Sequence, residues 1–88
     1  MTSRDATILN PLGLHARPAA QFVKLASSFG ASVEILKDGM AVNGKSIMGV
    51  MMLAAECGST ITLKADGPDA DQAVEALARL IADGFGET

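Results

Sequence analysis

The residues best suited to chemistry lie in the segment Gly13–Pro18, which holds the only histidine of the chain. Apolar residues recur at helical spacing after this segment, so a helix is predicted to begin at Ala16 with His15 as its N-cap. Pro18 fits the first turn, because the N–H group it lacks would have no intrahelical partner there. His15 is therefore expected at the N-terminal end of a helix.

This placement predicts an anion site beside His15. The free N–H groups of Ala16 and Arg17 would point towards a bound anion, which the positive end of the helix dipole would favour. The Arg17 guanidinium can donate to two phosphate oxygens at once. The same positive surroundings would keep one imidazole nitrogen unprotonated near neutral pH. Such a nitrogen beside oxyanion donors is suited to holding a phosphoryl group, although a histidine before a helix is more often an ordinary surface or capping residue.

A second segment, residues 39–46, matches the pattern G-x-x-x-x-G-K-[ST] of nucleotide-binding loops. We reject this match because Asp38-Gly39 is a strong signal for a hairpin turn, after which residues 40–43 would form the returning strand. A nucleotide-binding sheet is also parallel and needs crossover helices, for which 88 residues leave too little room. Ser46 has a simpler predicted role as the N-cap of a short helix.

The hydropathy pattern predicts four strands and three helices in the order βαββαβα. The strands are expected over residues 4–9, 32–37, 40–43 and 60–65. The last helix is expected to begin at a capping box formed by Asp69 and Gln72 and to bury an apolar face made of Val74, Leu77, Ala78 and Ile81. A four-stranded antiparallel sheet with three helices on one face buries these stripes economically. The sequence therefore predicts an α+β open-faced sandwich, in one domain over residues 1–88.

The composition argues against several classes of function. The net charge is −3 and the chain has no Trp or Tyr, which disfavours a nucleic-acid partner. No apolar run approaches the roughly 18 residues of a membrane span, and the first residues lack the apolar core of a signal peptide. The single cysteine, Cys57, favours the cytoplasm. We assign Cys57 to structure, because one thiol and one histidine offer neither a metal site nor a Cys–His pair.

Two separated motifs and the element order resemble the HPr family. The motifs are Gly-Leu-His-Ala-Arg-Pro-Ala at residues 13–19 and Asn-Gly-Lys-Ser-Ile-Met-Gly at residues 43–49. HPr is the histidine-containing phosphocarrier of the phosphoenolpyruvate-dependent sugar phosphotransferase system, and the resemblance covers essentially the whole chain. It implies that enzyme I phosphorylates His15 on Nδ1, that an EIIA-type acceptor takes the group, and that Arg17 is the phosphoryl clamp.

We accordingly expect a monomeric carrier that has no cofactor and is not a stand-alone enzyme. An alternative stays open, in which the chain is a regulatory interaction module of a nitrogen-type phosphotransferase branch and signals its phosphorylation state. The segment of residues 44–47 favours the sugar-type protein.

The resemblance also implies a regulatory serine and a docking surface. Ser46 aligns with the serine that HPr kinase/phosphorylase modifies in some bacteria, whereas other members keep this serine without such a kinase. Apolar residues after Ser46, extended by two residues of the first helix, are expected to form an exposed surface for partner proteins, made of Ile47, Met48, Met51, Ala20 and Lys24. Val50 and Leu53 are assigned to the core instead.

Overall fold

The computed structural model describes residues 1–87, so Thr88, the last residue of the predicted domain, lies outside the described residues. The strands are β1 (Thr2–Thr7), β2 (Ser32–Lys37), β3 (Met40–Asn43) and β4 (Thr60–Asp66). The helices are α1 (Ala16–Ser27), α2 (Ile47–Met52) and α3 (Ala70–Ala82), and a short 3-10 turn, Gly84–Gly86, follows α3. This element order confirms the predicted α+β sandwich.

The first strand begins and ends two residues earlier than predicted. It spans Thr2–Thr7 because its antiparallel pairing with β4 runs from Thr2 opposite Ala65 to Thr7 opposite Thr60, where β4 begins. Ile8 then leaves the strand as a fully buried residue, and its N–H donates to the Ser59 carbonyl at 2.8 Å. The apolar residue that suggested a longer strand therefore belongs to the core below the loop.

The sheet has the strand order β1-β4-β2-β3, and all its neighbouring strands are antiparallel. The alternation of period two in β2 and β4 directs one set of side chains towards the helices, and these are Val33, Ile35, Ile61, Leu63 and Ala65. The intervening residues are exposed or half-buried. The helices therefore cover one face of the sheet, as predicted.

Helices α1 and α3 close the core with the apolar faces that their sequences indicate. Phe22 of α1 is fully buried, and α3 buries all four residues predicted for it, Val74, Leu77, Ala78 and Ile81. Full burial of one large apolar side chain stabilises a fold by about 1.5–3 kcal/mol. Helix α1 packs against α2 and α3, and α3 packs against β1 and β4. None of the helices within residues 1–87 combines the length and apolar character needed to cross a membrane.

The predicted capping box of α3 is wrong in its hydrogen bonds. Asp69 is the N-cap residue, but among the described residues its side chain accepts no hydrogen bond from the first turn of α3. Its carboxylate instead accepts from the N–H groups of Gly30 at 2.9 Å and Ala31 at 2.7 Å. These two backbone hydrogen bonds lower the pKa of Asp69. Tertiary packing brings the loop after α1 within reach of the carboxylate, which spacing along the helix could not predict.

Residues 39–46 match the nucleotide-loop pattern, but the hairpin between β2 and β3 prevents them from forming a phosphate-binding loop. Asp38 and Gly39 both have positive φ angles, 50° and 82°, as the predicted turn requires. The middle of the pattern is β3, and the Lys45 Nζ donates to the Phe29 carbonyl at 2.9 Å. The lysine is therefore bound to the loop after α1, which supports the rejection of a nucleotide site.

Candidate functional site

The loop before α1 holds His15 at a fixed place in the fold. Gly13 has a φ angle of +68°, and a Cβ atom there would lie 2.3 Å from the Ala55 carbonyl oxygen. The same carbonyl accepts from the Leu14 N–H at 2.9 Å, and the Gly13 carbonyl accepts from the His15 N–H at 3.0 Å. Only glycine fits this close approach. The loop therefore positions His15 through backbone contacts.

His15 is the N-cap of α1, as predicted. Its backbone is extended, and its carbonyl accepts the helical hydrogen bond from the Ala19 N–H at 3.0 Å. Within the described residues 1–87, the His15 side chain accepts no capping hydrogen bond. The first N–H groups of a helix have no intrahelical partner, so the amides of Ala16 and Arg17 are available to an anion.

The imidazole makes a contact that the sequence did not indicate. His15 Nε2 lies 3.1 Å from Glu87 Oε1 and 3.0 Å from Glu87 Oε2. The His15 side chain is 35% exposed and that of Glu87 is 16% exposed. The ring is therefore neither buried in the interior nor free in solvent. To the positive surroundings that the sequence indicates, the structure adds a carboxylate from the turn after α3, which lies against one edge of the ring.

The turn after α3 places Glu87 beside the edge of the ring that carries Nε2. Phe85 has a φ angle of +55° and is 3% exposed, so its side chain anchors the turn in the core. The Glu87 N–H donates to the Gly84 carbonyl at 3.0 Å, which closes the turn. Buried Asn10 links this turn to the His15 loop, because its Nδ2 donates both to the Gly13 carbonyl at 2.6 Å and to Glu87 Oε1 at 3.0 Å.

The carboxyl group of Glu87 is held in its charged form. Partial burial raises its pKa, but hydrogen bonds from His15 and Asn10 and the nearby charges of His15 and Arg17 outweigh burial, so the pKa is lowered overall. Sequence reasoning missed both Glu87 and Asn10. Glu87 is 72 positions from His15 along the chain. No local pattern joins two residues so far apart.

Arg17 is exposed and lies beside the same turn. It lines a cleft of about 410 Å³ whose walls are Pro11, Leu12, Arg17, Gln21, Phe85, Gly86 and Glu87. Arg17 lies two residues after His15 at the start of α1, and it shares the cleft wall with Glu87, whose carboxylate contacts the His15 ring. The position of Arg17 is compatible with donation to an anion held at His15.

The five residues predicted for docking are all exposed, and they are Ala20, Lys24, Ile47, Met48 and Met51. They lie on α1 and α2, which pack against each other. Met48 is 76% exposed, and the neighbouring Met52 is also exposed at 67%. Val50 and Leu53 are buried, which confirms their assignment to the core. Helix α2 is therefore apolar on both sides, with one side in the core and the other in solvent.

Ser46 is the N-cap of α2 and confirms the capping prediction. It is half-buried, and its Oγ accepts from the Gly49 N–H at 3.1 Å. Cys57 is exposed, and its Sγ lies 3.6 Å from the Leu9 carbonyl oxygen, to which the thiol donates. Across residues 1–87, histidine, cysteine and acidic side chains form no group of three or more that could hold a metal ion.

Comparison with known proteins decides the family. Residues 2–83 match the family model described as the PTS HPr component phosphorylation site. The chain belongs to the HPr family. This family comprises the phosphocarrier proteins of the phosphotransferase system. The phosphocarrier protein HPr of Cupriavidus necator is 55% identical over 87 residues, which cover 99% of this chain and 98% of that protein.

Solved HPr structures share the fold. HPr-C-His from Thermoanaerobacter tengcongensis has a TM-score of 0.96 and 45% identity, and the match covers 100% of this chain and 99% of that one. An HPr dimer from the same organism has a TM-score of 0.79 and 46% identity, and covers 99% of this chain and 100% of that one. Because a dimer occurs among HPr relatives, the expectation of a monomer stays a prediction.

Proposed function

We propose that His15 accepts a phosphoryl group on Nδ1 from phosphorylated enzyme I and passes it to an EIIA-type acceptor. The observation that carries this proposal is the half-exposed imidazole at the uncapped N-terminus of α1, in a chain that matches an HPr family model. The Nδ1 lone pair attacks phosphorus, and the bond to enzyme I breaks with its electron pair staying on enzyme I. Transfer to the acceptor is the same displacement with His15 as the leaving group.

The residues after His15 supply the charge stabilisation. The N–H groups of Ala16 and Arg17 lie at the N-terminal end of α1. There the helix dipole stabilises a bound anion by about 0.3–1 kcal/mol. The Arg17 guanidinium donates to phosphoryl oxygens as a clamp. Stabilisation of this size suits a carrier, which must release the group as easily as it accepts it. Partner surfaces complete the in-line geometry that phosphoryl transfer requires, so the chain is a carrier and not a stand-alone enzyme.

Exposed residues of α1 and α2 form the proposed docking surface, which consists of Ala20, Lys24, Ile47, Met48 and Met51. Three of them are large apolar side chains in solvent on one short helix, and such a patch is typical of a protein interaction site. Methionine adapts its shape to more than one partner, which suits a carrier that must bind a donor and then an acceptor. We place this exchange in the cytoplasm, because the one cysteine is free and exposed.

We also propose that phosphorylation of Ser46 regulates docking. Its Oγ makes a part-buried cap contact to Gly49, and the next two residues, Ile47 and Met48, are exposed. A phosphate there would add about 1.5–2 negative charges beside an apolar surface. Ser46→Asp is expected to weaken binding to enzyme I with no change in the chemistry at His15, whereas Ser46→Ala binds normally. Equal binding of both variants, measured by calorimetry, would contradict this role.

Phosphoryl acceptance tests the main proposal. The chain is incubated with enzyme I and phosphoenolpyruvate, and intact mass is measured before and after mild acid. We expect a mass gain that acid removes, because a phosphoramidate is acid-labile, and no gain in His15→Ala. Circular dichroism and thermal unfolding verify that the variant is folded. An acid-stable modification, or the same gain in folded His15→Ala, would contradict the assignment of His15.

A further inference from the structure

The contact between Glu87 and His15 fixes more than the position of a side chain. Both carboxylate oxygens lie within 3.1 Å of Nε2, and an ionised carboxylate only accepts hydrogen bonds. Nε2 must therefore carry the hydrogen atom of this contact. A neutral imidazole has one N–H, so a hydrogen on Nε2 leaves Nδ1 with a free lone pair.

We propose that Glu87 is a positioning residue that selects the His15 tautomer with the proton on Nε2 and the lone pair on Nδ1. This inference deepens the proposed function and rests on it, because Nδ1 is the atom that we propose accepts the phosphoryl group. The carboxylate also fixes the direction of the ring. With Nε2 against Glu87, the opposite edge of the imidazole is the one left for an incoming phosphorus atom.

Three features hold the carboxylate in place for this task. Asn10 is fully buried and donates to Glu87 Oε1 at 3.0 Å, so the carboxylate has a second fixed partner. Phe85 anchors the preceding turn in the core. The Glu87 side chain is mostly buried at 16% exposure, which limits competition from water. The hydrogen bonds that lower the pKa of Glu87 keep it ionised at neutral pH, where a carboxylate can serve as an acceptor.

The same contact balances charge during transfer. When the Nδ1 lone pair forms the bond to phosphorus, the ring keeps its hydrogen on Nε2 and becomes cationic. No proton has to leave the site in this step, because the Glu87 carboxylate faces the new positive charge across the existing hydrogen bond. When the group moves to an acceptor, the electron pair of the N–P bond returns to Nδ1, and the original tautomer is restored.

Imidazole nitrogen chemical shifts test the tautomer directly. The chain is labelled with 15N-histidine, and both ring nitrogens are recorded at a pH where the ring is neutral. We expect a protonated Nε2 and an unprotonated Nδ1 in the original chain. Glu87→Ala is expected to move both shifts towards the mixture of tautomers of a free histidine, and Glu87→Gln to lie between, because its amide oxygen still accepts. Glu75→Gln on the exposed face of α3 removes the same charge and leaves the shifts unchanged.

The outcomes separate this inference from the proposed function. Unchanged ring shifts in a folded Glu87→Ala chain would overturn the positioning role, whether or not the chain accepts a phosphoryl group. Altered shifts with acceptance from enzyme I slowed by about ten- to hundredfold, the range of one hydrogen bond to a charged group, support it, whereas altered shifts with unchanged acceptance would overturn it. Failure of the original chain to accept a phosphoryl group would overturn the proposed function while the tautomer measurement still decides the role of Glu87.

Discussion

The N-terminal ends of α1 and α2 begin in the same way but are completed differently. Each follows an N-cap residue with extended backbone, His15 for α1 and Ser46 for α2. The Ser46 hydroxyl accepts from the Gly49 N–H, so the chain itself satisfies this end. The His15 ring makes no such bond within residues 1–87 and instead faces Glu87. The N-terminal end of α2 is closed by its own cap, whereas that of α1, which we call the open end, has no side-chain cap among the described residues.

This difference follows from side-chain length. A serine oxygen is one bond from Cβ and reaches the amides of its own first turn, which is why serine is a favoured N-cap. An imidazole at the same position extends past these amides and needs a partner from elsewhere in the fold. The helix end without a local side-chain cap is thus the one at which we propose phosphoryl transfer.

Replacing Gly13 with alanine is expected to have the largest effect on the open end. The new Cβ would meet the Ala55 carbonyl at 2.3 Å, and the φ angle of +68° is itself unfavourable for alanine. We expect a loss of more than about 2 kcal/mol of unfolding free energy in urea titration, together with slower phosphoryl acceptance by the folded fraction. Gly39→Ala, at +82° with no neighbour within 4 Å, is the matched control and is expected to lose about 1–2 kcal/mol. Equal losses would mean that the close approach to Ala55 does not matter.

Replacing Arg17 with lysine tests the cationic side of the open end. We expect normal stability and acceptance from enzyme I slower by about three- to tenfold, because a point charge replaces a guanidinium that can donate two parallel hydrogen bonds. Transfer assays that are stopped at successive times, at a fixed enzyme I concentration, measure the rate of phosphoryl acceptance. The same change at exposed Arg79 of α3 is the control and leaves the rate unchanged. Identical rates for Arg17→Lys and the original chain would remove Arg17 from the clamp.

Removing each N-cap side chain compares the two ends directly. Ser46→Ala loses the hydrogen bond to Gly49 and is expected to lower the unfolding free energy by about 1 kcal/mol. His15→Ala loses no capping hydrogen bond, only the partly exposed contact with Glu87, and is expected to cost at most about 1 kcal/mol. Urea titrations under the same conditions measure both values. A larger cost for His15→Ala than for Ser46→Ala would show that the histidine is chiefly architectural.

The smallest expected effect is a pH dependence confined to the open end. The pKa of Glu87 is lowered in the folded chain, so its charge stabilises the fold above its unfolded pKa, and this stabilisation is lost as the pH falls through the lower folded pKa. Glu87→Gln is therefore expected to be less stable than the original chain at pH 6, with the difference shrinking below about pH 4. The Ser46→Ala difference is expected to stay constant over that range, because the cap contains no titrating group. If the difference in unfolding free energy between Glu87→Gln and the original chain did not change with pH, this would contradict a lowered pKa for Glu87.

Much of the fold and part of the site could be predicted because they depend on local spacing. The alternation in β2 and β4, the turn at Asp38 and Gly39, and the cap at Ser46 each require only neighbours within a few positions. The same is true of His15 as the first residue before α1. These features follow from backbone geometry and the capping chemistry of each residue, which the sequence states directly.

The errors share one physical cause. Asp69 was predicted to bond to its own helix, but its carboxylate binds the amides of Gly30 and Ala31, 39 and 38 positions away. A short polar side chain takes whichever donors the packed chain brings nearest, and local spacing does not state which these are. The capping rule named the right residue and the wrong partners.

By itself, the sequence determined where the first helix begins and which residue is the proposed nucleophile, because a lone histidine stands directly before Ala-Arg-Pro. Only the tertiary structure decided how the ring is held. The packing of α3 on the sheet and the burial of Phe85 bring Glu87 to the loop before α1, where it meets Asn10 and His15. Contacts between distant segments depend on how the whole core closes, and no pattern of neighbouring residues encodes them.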